Sequence, residues 1–101
     1  MDIRGRIVEF HQMEKPGPER TAVLGAILLE GAVEDDTQYD KASIAVTRST
    51  RIFRQSAAEQ RPAAFADLRV GQVAEAKFAG PVRETYPLQG TAAAIVILEP
   101  A

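Results

Sequence analysis

Hydrophobic and polar positions along this chain fall mostly into period-two runs separated by glycine and proline. Ile3 to Phe10 opens with Ile3, Gly5 and Ile7 on one face, and then Val8 and Phe10 fall on the other. Such a slip predicts a strand with a bulge near Ile7-Val8, or with both faces buried near its end. Glu14 to Arg20 carries Pro16-Gly17-Pro18 and reads as a loop. Ala22 to Leu29 is the most apolar run, with Val23, Ile27 and Leu29 opposite Leu24 and Leu28. The two runs are expected to pair as an antiparallel hairpin with a long connection. Ala42, Ile44 and Val46 alternate as a third strand, which Thr47 to Arg54 continues after a kink.

Gln55 to Arg61 is polar, and Ala63 to Leu68 then reads as a short helical piece with Phe65 and Leu68 on one face. Pro62 stands where a first helical turn tolerates proline, and Gly71 suits the left-handed residue of a tight turn. Ala74, Ala76 and Phe78 alternate with Glu75 and Lys77 as a fourth strand, which Gly80-Pro81 is expected to end. Val82 to Gly90 reads as a loop, with Pro87 restricting Tyr86 to extended backbone. Ala92 to Leu98 is a final apolar strand.

Strand, strand, strand, short helix, strand, strand is the order of the five-stranded Greek-key OB barrel, in which the helix plugs one end. The fold class expected is therefore all-β with one short helix, an OB-fold-like barrel in a single domain spanning 1-101. A small open β-sandwich is the alternative. Phe65, Leu68, Phe78, Ile95 and Ile97 are the expected core, and Gly80 to Gly90 is expected to fold over the barrel as a clasp with Tyr86 packed at its mouth.

The Asp67-Leu68, Val70-Gly71-Gln72, Gly80-Pro81-Val82, Glu84 and Tyr86-Pro87 residues, followed by the apolar last strand, resemble family 3221 of domains of unknown function. Ile44-Ala45-Val46 and Thr50-Arg51-Ile52-Phe53 extend the likeness more weakly, so that it covers about the C-terminal two thirds of the chain. The most specific part is the string Gly-Pro-Val-x-Glu-x-Tyr-Pro. Thr85 stands where the family usually has serine, and Gly90 lies close to its usual alanine. The resemblance implies a small β-barrel-like domain, of a kind often found in secreted or lipid-anchored proteins of Gram-positive bacteria, and it implies no particular reaction.

Composition narrows the function. The net charge is -2, which offers no general field for nucleic acid or an anionic membrane. With no cysteine there is no thiolate chemistry and no disulfide, and His11 is the single histidine, so a multi-histidine metal site is excluded. No run approaches the roughly 20 apolar residues of a spanning helix, and residues 1 to 20 carry no apolar signal core. As written, the chain reads as soluble and cytoplasmic, and an extracellular or lipid-anchored form would need a signal segment ahead of it.

Candidate sites are few. The acidic residues Glu34, Asp35, Asp36 and Asp40 lack the glycine and terminal glutamate of a calcium loop, so a solvated loop is preferred. Arg48, Arg51 and Arg54 stand where an OB barrel binds oligonucleotides, but single-strand binding also uses exposed aromatics, and tryptophan is absent. Arg83, Glu84 and Tyr86 suggest a ligand contact, or more remotely a proton-transfer site of a small hydrolase. The leading expectation is a non-catalytic binding or protein-interaction module without cofactor or metal, meeting an unknown protein partner or a second copy of itself. A single-stranded nucleic-acid module using the arginines is the alternative.

Overall fold

The computed structural model describes residues 1–32, 39–57 and 59–99. Seven strands occur among them: β1 Ile3–Gln12, β2 Val23–Glu30, β3 Lys41–Thr47, β4 Arg51–Gln55, β5 Gln60–Ala63, β6 Val73–Arg83 and β7 Leu88–Leu98. Antiparallel pairing joins β1 to β2, β2 to β3, β6 to β7 and β1 to β6. β3 and β7 close the ring in parallel, from Ala42 opposite Leu88 to Ala45 opposite Thr91. The result is a closed five-stranded barrel of OB-like form, β1-β2-β3-β7-β6, nearly all-β. The expected hairpin of the first two strands is present, and its register shifts between Ile7 and Glu9, at the bulge that the slipped alternation predicts.

Four local expectations are corrected. The kinked continuation of the third strand is a separate strand. β3 stops at Thr47, and β4 resumes on the same edge of β7, pairing Arg51 with Ala94 through Gln55 with Leu98. Between them, the Thr47 N–H donates to Thr50 Oγ1 at 2.9 Å, and that hydroxyl donates to the Ala92 carbonyl at 2.7 Å. The turn is thereby fastened to β7 in the gap between the two registers. Second, the helical piece at 63–68 is only a 3-10 turn, Phe65–Asp67, with the Ala64 N–H donating to Asp67 Oδ2 at 2.8 Å. Pro62 belongs to β5, an outer strand, where the missing donor is tolerated.

Third, Gly80-Pro81 does not end its strand. The β6–β7 register shifts between Ala79 and Arg83, Gly80 takes φ 69°, and pairing resumes at Arg83 opposite Gln89. A bulge thus replaces a terminator, and the loop expected over Val82–Gly90 shrinks to 84–87. Gly71 does take the left-handed conformation expected of it, at φ 100°.

Fourth, the core is aliphatic. Ile3, Ile7, Ile27, Leu29, Ile44, Val46, Leu68, Ile95 and Ile97 are its largest fully buried side chains. Leu68, Ile95 and Ile97 meet the expectation, whereas Phe65 and Phe78 are half-buried and pack against the core from its margins. Phe65 pairs with Phe10 at 5.2 Å between centroids, and Phe78 meets Tyr39 edge-on at 6.0 Å. The two aromatic pairs involve opposite ends of β1, since Phe10 lies near its end and Tyr39 bridges Ile3 at its start. Each phenyl ring uses space left by a glycine. A Cβ at Gly25 would come 2.6 Å from Phe65 Cζ, and one at Gly90 would come 2.7 Å from Phe78 Cδ1. No helix among the described residues is long and apolar enough to cross a membrane.

Candidate functional site

The β6–β7 hairpin carries three of the candidate residues, and its turn is internally fixed. The Thr85 N–H donates to the Arg83 carbonyl at 2.9 Å, and the Thr85 hydroxyl donates to the Pro87 carbonyl at 2.9 Å. Pairing of Arg83 with Gln89 and burial of Leu88 hold the base of the turn. Tyr86 is therefore presented on a short, braced loop.

It does not pack at the barrel mouth. Tyr86 is 73% exposed, which overturns the expected clasp. The ring stands beside Tyr39, Asp40 and Lys41, the entry to β3. The Tyr86 hydroxyl lies 3.5 Å from Asp40 Oδ2, and the Lys41 ammonium lies 5.8 Å from the ring centroid. Lys41 also faces Glu30 at 3.7 Å. Together with Glu84 these groups line an open depression of about 330 Å³. Arg83 lies across the hairpin, lining a separate hollow of about 380 Å³ with Ala26, Ser43, Ala45, Gln89 and Thr91. Arg83 is the last residue of β6, whereas Glu84 and Tyr86 lie in the turn beyond it, where the chain has left the strand. The three residues are thus close in sequence but divided between two surfaces.

The arginines on the other candidate surface are also dispersed. Arg48 sits in the β3–β4 turn and donates through Nε to the Gly17 carbonyl at 2.8 Å. Arg51 and Arg54, three apart on β4, face opposite sides. The Arg51 guanidinium lies 5.2 Å from the centroid of the half-buried Phe53. Arg54 is held by Glu99 at 3.2 Å and Asp67 at 3.9 Å. One stacked guanidinium, one tied to a carbonyl and one shared by two carboxylates do not make a continuous basic track. The acidic residues Glu34, Asp35 and Asp36 lie outside the described residues.

His11 is exposed at the end of β1, with Nε2 3.6 Å from Glu9 Oε1. Among the described residues no cluster of three or more metal-ligating side chains occurs, and no buried side-chain nitrogen or oxygen lacks a hydrogen-bond partner. Tyr39, Asp40 and Lys41 were not legible as neighbours of Tyr86, because parallel β3–β7 pairing, not sequence proximity, brings them together. Scans against protein-family models, curated proteins and solved structures return no match to this chain.

Proposed function

We propose that this chain is a non-catalytic binding or protein-interaction module, with the β6–β7 hairpin as its contact surface and Tyr86 as the anchor. The observation that carries the reading is a large amphipathic side chain, 73% exposed on a braced turn, that has no part in the core. Tyrosine contributes much area at low conformational cost, and tyrosines dominate the energetics of many protein interfaces. Asp40, Lys41 and Glu84 line the depression beside it, with the Lys41 ammonium over the ring, so a partner segment would meet groups of both charges around an aromatic anchor. The resemblance to family 3221 agrees with this emphasis, since its most specific string, Gly80 to Pro87, is this hairpin.

The test separates anchoring from folding. Tyr86→Ala, wild type and a control variant at exposed Gln60 are compared as immobilised baits and in sedimentation equilibrium. A partner, or a second copy, retained by wild type and by the control should weaken about 30-fold with Tyr86→Ala, the loss of a hot-spot side chain worth ~2 kcal/mol. Equal retention by all three baits would remove the hairpin from the interface.

A further inference from the structure

A second surface lies at the end of the β6–β7 hairpin opposite its turn. It is bounded by β1, by the turn from Arg69 to Gln72 and by the end of β7, and it encloses a groove of about 770 Å³. Three arginines reach it: Arg6 from β1, Arg54 from β4 and Arg69 from the turn. Glu99 is the one carboxylate in its lining, and it is already bound to Arg54 at 3.2 Å. The lining therefore has a formal charge of +2, three cations less one anion, in a chain whose net charge is -2. Arg6 donates to the Gly71 carbonyl at 2.6 Å, which braces its guanidinium against the turn without neutralising it. Among the described residues neither Arg6 nor Arg69 is in ion-pair contact with a carboxylate.

Between these charges the wall is apolar. Val70 is 60% exposed at the tip of the turn, and Val73 and Leu98 are half-buried beside it. An exposed valine next to Arg69 adds little to the fold, since the core is built from buried residues such as Leu68, Ala74 and Ile97 and does not include it. A groove of this volume lies within the range of small-molecule sites, roughly 300–1,000 Å³, which combine an apolar lining with a few placed polar groups. Guanidinium forks match carboxylate geometry, and two that lack acidic partners set the sign of the ligand.

We infer that this groove binds a small amphipathic carboxylate, its head held by Arg6 and Arg69 and its apolar body lying on Val70, Val73 and Leu98. Val73 and Leu98 pair at the end of the β6–β7 hairpin opposite its turn, and none of these residues lies in the turn 84–87 that carries Tyr86, so this inference and the proposed interaction surface stand or fall separately.

Titration of the ¹⁵N-labelled chain with octanoate, followed by amide chemical shifts, tests it. Saturable shifts are expected at Arg6, Arg69 to Val73 and Leu98, and not at Thr85 or Tyr86. Octan-1-ol and acetate each supply half of the ligand and should bind at least about tenfold more weakly, as should octanoate to Arg69→Gln. Val70→Asp alters an exposed turn residue and places a negative charge on the wall, so it should abolish the shifts while preserving amide dispersion. Any of four results would overturn the inference: octan-1-ol matching octanoate, acetate matching octanoate, shifts that persist in both variants, or shifts that never saturate.

Discussion

Gly90 and Phe78 show how much a single missing methyl can decide. The ring of Phe78 occupies the place where a Cβ at position 90 would stand, and Val82 Cγ1 lies only 3.0 Å from the same point. Gly90→Ala should therefore push a packed ring off its seat and cost about 1–3 kcal/mol. For a domain of this size that is a fall in melting temperature of roughly 4–8 °C per kcal/mol, readable by thermal circular dichroism. Leu68→Ala should cost about 2–5 kcal/mol, because Leu68 is almost fully buried at 2% exposure. Tyr86→Ala should shift the melt by no more than about 0.5 kcal/mol, as for a surface side chain away from the core. A large loss of stability there would restore the clasp. Ile95 and Ile97 were legible from strand alternation and Leu68 from its spacing to Phe65. The exposure of Tyr86 was not, because it sits in a turn, where no alternation says which way a side chain faces, and an amphipathic ring suits either a packed or an exposed place.

At the scale of elements, the strands were legible wherever apolar alternation was regular, and their limits failed where glycine, proline or threonine was read by habit. Gly80-Pro81 looks like a stop, yet a positive-φ glycine followed by proline also suits a bulge in an otherwise continuous hairpin. Pro62 looks like a helix start, yet an outer strand accepts it as well. Thr50 gave no signal at all, although its hydroxyl both accepts from Thr47 and donates to Ala92. Thr50→Val keeps the shape and removes both bonds, so it should cost about 1–3 kcal/mol for the groups left unpaired. Hydrogen exchange should quicken first at the amides of β4, the strand that this turn delivers to β7.

Taken as a whole, the barrel was legible from element order, since three strands, a short insertion and two strands match the OB pattern whether the insertion is a helix or, as here, a β4–β5 hairpin with a 3-10 turn. The candidate surfaces were much less so, because they combine residues from strands far apart in the chain. Arg6 and Arg69, far apart in the chain, both line the groove, and Tyr39 and Tyr86 share a depression only through barrel closure. Charge is also arranged at this scale. With Arg48, Arg51 and Arg54 separated, single-stranded DNA or RNA is expected to bind no tighter than the non-specific range of roughly 10⁻⁴–10⁻⁶ M at physiological salt. Fluorescence anisotropy with labelled oligomers checks this, and tighter binding abolished by replacing these arginines would favour the oligonucleotide alternative.

The shared edge of β7 has a consequence for the order in which the molecule can assemble. β3, β4 and β6 all pair with Leu88–Leu98, so three strands wait for one that follows them in the chain. During synthesis β1, β2 and β3 can form a meander, but no ring can close until β7 has left the ribosome. Closure then joins segments distant in sequence, which makes milliseconds to seconds the natural timescale for this step, not microseconds. A fragment ending at Pro87 should accordingly lack cooperative unfolding, and a peptide covering residues 88–101 should restore it when added in trans. A fragment that melts cooperatively by itself would show that the first six strands can find a core without their common seam.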